Sequence, residues 1–395
     1  MKKHTCPCCK KNKTSKFLVS EKFPYFTTPI RDISKKKIKK KNYLKYFDDL
    51  KYSFCKICDH VFLIKSPNFK IIDELYKKFY SYPSAMSGDF LPTRDDAFLN
   101  FLKKYLGKNK KKDYSFFEIG CYDGYILYQL KKQGFKNVAG CDPSIGARIA
   151  IRHGLNVKNE FFNVSKIKNK YDFIIARHLV EHLDNPLQFL KSLENIINEN
   201  TKIIIEVPNG EFYLKKGLVE VFSHQHIHLF NKFSMQSLVK DTNFGIEKIK
   251  QEGANIYFIL SKKKDINKIK KIPLVKRFLK KYHHNLKKIK SILKFYKDKQ
   301  IIFYGAGGFC CAAIHLYKID KKIIHRILDS DKNKINKEFL HIDKKIQRNN
   351  INLNSDNLAI ITSYYADDIL KLIKKKNISK NIMLIHPEIK LKRLK

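Results

Sequence analysis

Phe116-Phe-Glu-Ile-Gly-Cys-Tyr-Asp-Gly124 joins a mostly apolar run to a helical pattern. The run from Tyr114 to Phe117 predicts a buried strand, and residues 125–130 predict a helix that begins after Gly124. A strand, a glycine turn and a helix in that order form the corner that binds a cofactor in open α/β sheets. The sequence therefore predicts a cofactor site here and an α/β fold around it.

The charges in this corner indicate the kind of cofactor. A bare helix N-terminus binds a pyrophosphate, because its N–H groups and dipole favour an anion. Glu118 and Asp123 bring two carboxylates to the corner, which would repel a phosphate and suit a cation such as a sulfonium. Gly120 and Gly124 also enclose three residues, unlike the G-x-G-x-x-G of dinucleotide sites.

The segments that follow the corner alternate between strand and helix patterns. Asn137-Val-Ala-Gly-Cys-Asp142 predicts a second strand that ends in an acid, where an acidic residue meets ribose hydroxyls in this topology. Further short apolar runs alternate with amphipathic segments as far as Asn209. This alternation predicts a doubly wound, Rossmann-like parallel sheet.

The chain is strongly basic, with 81 Lys+Arg against 37 Asp+Glu and a formal net charge of +44. Its lysines are spread throughout, whereas a nucleic-acid surface collects basic residues on one face. We therefore interpret the charge as compositional and do not expect a nucleic-acid partner.

No run is long enough to span a bilayer, and the N-terminus has no apolar signal region, so we expect a cytoplasmic protein without membrane insertion.

Two Cys-x-x-Cys pairs stand near the N-terminus, and the residues that form them are Cys6, Cys9, Cys55 and Cys58. Two such pairs can close a tetrahedral four-cysteine site around a structural Zn²⁺. The alternative is two unrelated pairs of reduced cysteines.

Three histidines alternate along residues 224–230, and they would share one face if the segment were extended. A histidine of near-neutral pKa is a natural base for a sugar hydroxyl or for a carbon beside a carbonyl. A metal site is less favoured, since no carboxylate or cysteine lies close by in the sequence.

The polar and aromatic segment at residues 80–88 predicts a lid or substrate loop, with an ordinary turn between helices as the alternative.

A second glycine corner, Gly305-Ala-Gly307-Gly308, follows a strand near the C-terminus, and Asp329 ends the next strand. Cys310 stands where a dinucleotide site has its third glycine, which weakens that interpretation.

The expected domains are a zinc-binding module (1–75), a helical connector and lid (76–110), the catalytic core (111–262), a basic helical linker (263–299) and a Rossmann-like C-terminal domain (300–395).

Residues 111–262 resemble the class I S-adenosylmethionine-dependent methyltransferases. The resemblance is carried by the corner, the acid at Asp142, and the segments YDFIIARHLVEHLDNP (171–186) and IIIEVPN (203–209), in that order. With the cysteine pairs and the YGAGG unit at 304–308, nearly the whole chain resembles the bacterial deoxysugar C-methyltransferases. That family implies S-adenosylmethionine, a structural zinc ion and a nucleotide-linked ketosugar substrate, as in surface polysaccharide biosynthesis.

The same resemblance implies site residues. It implies that His226 is the base, that Tyr82 or Tyr80 is the lid tyrosine and that His182 lines the pocket. The family glutamate beside the base is Gln225 here, which cannot carry charge, so transfer to carbon and to oxygen both stay open. The candidate cofactor-binding residues are Glu118, Gly120, Cys121, Asp123, Gly124, Asp142, Pro143, Phe162, Arg177 and His178.

Two other functions are compatible with the sequence. An RNA methyltransferase could use the zinc module and the basic linker to hold RNA. Ala176-Arg-His-Leu argues against it, because it stands where methylation of exocyclic amines requires an Asn/Asp-Pro-Pro-aromatic signature. A cofactor-sensing or scaffold protein that has lost its chemistry is the other, and Gln225 is its only support.

Overall fold

The computed structural model describes residues 4–27, 29, 44–74, 84–86, 93–107, 111–262, 269, 271–332, 334–339, 342–348, 356–363, 365–376 and 378–394. The predicted lid tyrosines, Tyr80 and Tyr82, lie outside these residues. Among the helices of the described ranges, none is long and apolar enough to cross a membrane.

The N-terminal unit is an antiparallel sheet flanked by the two cysteine pairs. Its elements are β1 (Thr14–Pro24), β2 (Phe47–Cys55) and β3 (Val61–Leu63), followed by α1 (Phe69–Glu74) and α2 (Thr93–Leu106). The first cysteine pair lies in the turn before β1, and the second lies in the turn between β2 and β3. Both turns therefore meet at one end of the β1–β2 hairpin, where Thr14 pairs with Cys55.

The central unit contains the predicted alternation of strands and helices. Its elements are β4 (Ser115–Ile119), α3 (Tyr125–Lys132), β5 (Asn137–Cys141), α4 (Gly146–Arg152), β6 (Asn156–Lys158), β7 (Phe173–Arg177), α5 (Pro186–Leu193), β8 (Lys202–Pro208), α6 (Gly210–Lys216), β9 (His228–Leu229), α7 (Lys232–Val239), β10 (Phe244–Glu252) and β11 (Asn255–Lys262). The strand order is β10-β11-β8-β7-β4-β5-β6. The prediction of an α/β fold is confirmed.

The central sheet is mixed, although the sequence predicts parallel strands. Strands β4 to β8 are parallel, but β11 runs antiparallel to β8 and β10 runs antiparallel to β11. The physical reason is the short turn at Gly253, which joins β10 directly to β11. A parallel neighbour would instead need a long crossover connection.

Strand β4 lies at the point where the strand order reverses, between β5 and β7. It is buried on both faces, since Phe116 stacks on Phe173 and Phe117 packs on Tyr171 on the opposite side. Ligands of open α/β sheets bind outside the carboxyl ends of the strands at this switch point. In this chain those ends carry Glu118 and Arg177.

The short strand β9 leaves the central unit and joins the N-terminal sheet, which has the order β1-β2-β3-β9. Val61 pairs with Leu229 and Phe62 pairs with His228. The histidine-rich segment is thus tied by backbone hydrogen bonds to the strand that follows the second cysteine pair.

The C-terminal unit is a second α/β sheet that follows one long helix. Its elements are α8 (Leu274–Phe295), β12 (Ile301–Tyr304), α9 (Gly308–Leu316), β13 (Ile324–Asp329), β14 (Glu338–Phe339), β15 (Ile342–Arg348), β16 (Leu358–Ile361), α10 (Ala366–Lys375), β17 (Asn381–Leu384) and β18 (Lys390–Arg393). Its order is β14-β15-β13-β12-β16-β17-β18, with antiparallel strands at both edges. The buried face of α8 packs against α6 and α9.

Candidate active site

The two glycines of the central corner are required by the backbone. Both Gly120 and Gly124 have a φ of 75°, a left-handed conformation that side chains rarely adopt. A Cβ atom at Gly124 would also lie 2.7 Å from Leu155 and 2.8 Å from Ala150. The corner therefore turns tightly and lets α3 begin close against α4.

Glu118 lies at the end of β4 with only 2% of its surface exposed. Its Oε2 atom has no hydrogen-bond partner among the described residues, and Arg177 Nη1 lies 4.0 Å from its other oxygen. Burial raises the pKa of this carboxyl to about 8, although the charge of Arg177 acts to lower it. A buried carboxylate with one oxygen left without a partner is unfavourable, so the corner fits a cationic group such as the one S-adenosylmethionine carries.

Two aspartates stabilise the loops around the corner. Asp142 accepts hydrogen bonds from the backbone N–H groups of Tyr122 at 2.9 Å and Ser144 at 2.8 Å. Asp123 accepts hydrogen bonds from the Ser84 hydroxyl at 2.8 Å and the Met86 N–H at 3.1 Å. Asp123 thus attaches part of the predicted lid segment to the corner.

Three further candidate cofactor residues surround the same edge of the sheet. Cys121 is buried, and burial raises the pKa of its thiol well above the ordinary value. Pro143 is exposed after the end of β5. Phe162 is half-buried, with its ring 5.9 Å from that of Phe189, and its neighbour Phe161 is 69% exposed. The exposed aromatic residue is therefore Phe161, which the sequence did not single out.

Arg177 and His178 lie in a network of buried carboxylates. Arg177 Nε contacts Glu206 at 2.6 Å, and its Nη2 contacts Asp95 at 2.9 Å. Burial acts to lower the pKa of His178, as does the charge of Arg94, but Glu206 and Glu181 together raise it. The described contacts of both side chains thus join the ends of β7 and β8.

The three alternating histidines do not share one face, because only His228 lies in a strand. His224 is hydrogen-bonded to the Phe23 carbonyl at 3.1 Å and stacks on Tyr25. His228 contacts His60 of the N-terminal unit at 3.0 Å. His226 instead pairs with His182, so the segment is not extended and a common face does not form.

His226 forms a pair with His182, with ring centroids 5.0 Å apart. The Nδ1 atom of His182 lies 2.7 Å from the Gln225 carbonyl, and that of His226 lies 2.6 Å from the Val221 carbonyl. A carbonyl can only accept, so both Nδ1 atoms carry a proton and the Nε2 atom of a neutral ring has a free lone pair. Burial, followed by the charge of His182, lowers the pKa of His226 to about 4, which keeps His226 neutral.

Glu181 is the site residue that sequence reasoning missed. Its side chain is 1% exposed and lies 3.8 Å from His182 Nε2. One ligand atom from each of Glu181, His182 and His226 lies within 4.8 Å of the others, so these residues could also hold a divalent cation. The sequence disfavours a metal here because no carboxylate stands close to the three histidines in the chain, and the fold supplies that carboxylate. Its adjacency to His182 was the available sign.

The four predicted zinc ligands come together. The sulfur atoms of Cys6 and Cys58 are 3.5 Å apart, as are those of Cys9 and Cys55, and all four lie within 4.8 Å of one another. Tetrahedral Zn²⁺ with Zn–S bonds of about 2.3 Å needs sulfurs about 3.8 Å apart. Disulfide sulfurs would lie about 2.0 Å apart. The donor set and its spacing therefore fit a structural zinc ion, and Cys8 lies outside the cluster.

Comparisons with known proteins identify the kind of domain that contains this site. Residues 93–249 match the family model described as a methyltransferase domain. A tRNA U34 carboxymethyltransferase from Campylobacter fetus is 26% identical over 134 residues, covering 31% of this chain and 46% of that protein. A ubiquinone biosynthesis O-methyltransferase from Rickettsia bellii is 25% identical over 161 residues, covering 36% of this chain and 66% of that protein.

The chain spans about half the length of the tRNA-modifying relatives that it matches. Among solved structures, a SAM dependent methyltransferase from Aquifex aeolicus is 18% identical and covers 46% of this chain and 98% of that chain, with a TM-score of 0.35. The family match, the strand order and the glycine corner together identify residues 93–249 as a class I S-adenosylmethionine-dependent methyltransferase domain.

Proposed function

We propose that this protein transfers a methyl group from S-adenosylmethionine to a sugar, in the first place a nucleotide-linked keto- or deoxysugar for surface polysaccharide biosynthesis. One observation carries the proposal. The neutral His226 is paired with His182. A network of contacts through Glu181, His178, Glu206 and Arg177 joins this pair to Glu118, whose Oε2 atom has no hydrogen-bond partner among the described residues. A proton acceptor and a candidate cation site thus belong to one network.

The corner residues have the chemistry to hold the cofactor. Glu118 offers a buried carboxylate to its cationic part, Asp142 lies where this topology places a ribose-binding acid, and Gly120 and Gly124 form the tight turn between β4 and α3. When bound, S-adenosylmethionine supplies an electrophilic methyl group on a sulfonium. Positioning an acceptor beside such a group accounts for much of the rate of a transfer reaction.

His226 has the role of base in this proposal. Its free Nε2 atom takes a proton from an acceptor hydroxyl, or from a carbon beside a carbonyl. The resulting imidazolium is stabilised by the buried carboxylate of Glu181, which replaces the charge that Gln225 cannot carry. The predicted lid tyrosine, Tyr82 or Tyr80, is the further candidate on the acceptor side.

The sugar substrate rests on the order of the parts along the chain. A four-cysteine cluster, a methyltransferase domain and a second α/β unit occur in the order of the deoxysugar C-methyltransferases. Even if it is compositional, a net charge of +44 produces a positive field, and such a field would favour a substrate that carries phosphates. Because Gln225 departs from that family, the acceptor atom is carbon or oxygen.

RNA methylation is the second candidate function. The relatives named tRNA U34 carboxymethyltransferase favour it, as does the basic helix α8. The comparisons give no support to the expectation that nucleic acid is not a partner. On this alternative, the zinc module and α8 would hold the RNA.

Labelled S-adenosylmethionine separates the candidates. The zinc-loaded protein is incubated with nucleotide ketosugars, with free sugars and with bulk RNA, and the label is followed into each. We expect label in a nucleotide sugar, and loss of it in His226→Asn but not in the control His283→Asn, whose ring lies on the exposed part of α8. Label in RNA alone would replace the sugar by RNA. Cofactor binding without transfer to any acceptor would favour the sensor or scaffold function.

A further inference from the structure

The four-cysteine cluster is connected to the His226 segment by the pairing of β3 with β9. β3 begins shortly after Cys58, and β9 begins shortly after His226. Their register places Phe62 opposite His228. Because the register of a buried strand pair is strongly specified, a shift of the cysteine turn would move the segment that carries His226.

Two buried histidines connect the same units through their side chains. His60 Nε2 lies 3.0 Å from His228 Nδ1, and His228 Nε2 lies 2.9 Å from the Leu183 carbonyl. Since the carbonyl only accepts, His228 donates from Nε2 and accepts from His60 at Nδ1. His60 is fully buried, two residues after Cys58, and its Nδ1 atom has no hydrogen-bond partner in the described part of the chain.

The hydrogen bonds continue from His228 into the candidate active site. Leu183, whose carbonyl His228 contacts, directly follows His182 in the chain. His182 in turn donates to the carbonyl of Gln225, which directly precedes His226. The orientation of both rings of the pair therefore depends on the backbone that His228 contacts.

Tyr52 makes a third connection, from the strand that ends at Cys55. Its side chain is fully buried, and its hydroxyl contacts the carbonyl of Ser223 at 2.8 Å and the carbonyl of His226 itself. It also accepts from the Ser223 N–H at 3.3 Å. One hydroxyl thus contacts two residues of the irregular histidine segment, Ser223 and His226.

We propose that Tyr52 and His60 are positioning residues, through which the metal of the four-cysteine site sets the orientation of the His182–His226 pair. Neither residue contacts the acceptor in this arrangement. Outer residues of this kind change activity by about 10–100-fold when they are replaced, because they orient the groups that react. The proposal rests on the proposed function for the role of His226, and on zinc binding by the cysteines.

The test uses the zinc-loaded chain of 395 residues and four variants. Tyr52→Phe removes one hydroxyl, and His60→Leu removes the imidazole. His60→Gln restores a donor near the position of Nε2. Tyr282→Phe is the matched control, because Tyr282 is also a buried tyrosine that donates to a backbone carbonyl, but that carbonyl belongs to Leu316 in α9 and not to the histidine segment.

Nitrogen NMR of labelled histidine side chains reports the tautomer and the hydrogen bonds that hold each ring, and methyl transfer and cofactor affinity are measured beside it. We expect Tyr52→Phe and His60→Leu to shift the imidazole signals of His182 and His226 and to lower kcat about 10–100-fold. Cofactor affinity should stay unchanged, His60→Gln should recover most of the loss, and Tyr282→Phe should match the wild type. Unchanged imidazole signals in Tyr52→Phe would overturn the proposal. If no acceptor is methylated, the proposed function fails. The NMR shifts would then still decide whether Tyr52 and His60 position the histidine pair.

Removal of zinc with a chelator is the second arm. The expected result is the same shift of the two imidazole signals, with S-adenosylmethionine still bound. Unchanged signals would show that the metal does not position the pair. Loss of cofactor binding together with loss of the two imidazole signals would show that the metal maintains the whole fold. That result would also overturn the proposal that the metal specifically positions the histidine pair.

Discussion

The Nδ1 atom of His182 donates a hydrogen bond of 2.7 Å to the backbone carbonyl of Gln225. The resemblance to the deoxysugar C-methyltransferases implies a glutamate at the position of Gln225, yet the described contact of Gln225 with His182 is made by the backbone. The carboxylate beside the histidine pair comes from Glu181, 3.8 Å from His182 Nε2. The charge that the site needs is thus present, but on a different segment.

Replacement of Glu181 by Gln should lower kcat by about 10–100-fold, because the buried imidazolium formed during proton transfer would lose its charge partner. Gln225→Ala should change it little, since the variant retains the carbonyl that orients His182. Both variants are assayed for methyl transfer at saturating cofactor. The opposite ranking would assign the catalytic role to the side chain of Gln225.

The affinity for S-adenosylmethionine should rise with pH and level off near pH 8. The pKa of Glu118 is raised to about 8 by burial, so below that pH a cationic ligand must displace a proton to gain the carboxylate. Calorimetry in buffers of different ionisation enthalpy measures this proton release. Glu118→Gln should bind more weakly at pH 8.5 and show a flat profile. An equally steep profile in the variant would contradict this role of Glu118.

The same carboxyl should affect stability without ligand. Its folded-state pKa of about 8 lies above the usual glutamate value of 4.5, so between these values the folded chain binds more protons than the unfolded chain. Its contribution is fully present below about pH 4.5 and is lost as pH rises to about 8. Glu118→Gln should therefore stabilise the ligand-free protein more at pH 8 than at pH 5, as measured by denaturant unfolding.

Metal analysis should find zinc in the purified protein, and Cys6→Ser should release it, because the variant lacks one of four thiolate ligands. Cys8→Ser is the matched control, since Cys8 is a buried neighbour outside the cluster. A folded protein free of metal would refute the four-cysteine site. A second metal ion that survives in Cys6→Ser and is lost in His226→Asn would instead occupy the Glu181–His182–His226 cluster.

Arg177→Met should destabilise the fold by about 3–5 kcal/mol, because it leaves buried carboxylates without their cation. The guanidinium contacts Glu206 and Asp95 and lies over the ring of Phe98 at 4.5 Å. Arg152→Met, at the exposed end of α4, should change stability by less than about 0.5 kcal/mol. Urea midpoints at constant m-value give both numbers. Equally small changes in stability in the two variants would mean that Arg177 is not needed to offset the charges of the buried carboxylates.

Local patterns made the fold predictable. The apolar run before Glu118 and the glycines at Gly120 and Gly124 are sufficient to predict a strand, a turn and a helix, because side-chain periodicity and left-handed φ angles are properties of neighbouring residues. The clustering of the four cysteines was predictable for the same reason, since the spacing within each Cys-x-x-Cys pair limits which thiols can share an ion. The antiparallel strands β10 and β11 were not, because the direction of an edge strand depends on its connection.

The amino-acid sequence was enough to predict the glycine corner, its two carboxylates and the two cysteine pairs, which are set by short-range spacing. Tertiary structure decided which histidine faces the site, how Glu181 approaches His182, and how β9 joins the N-terminal sheet. These contacts join residues that are distant in the chain or separated by an irregular loop. Their geometry arises only when the packed units bring those backbones together, and no local pattern encodes it.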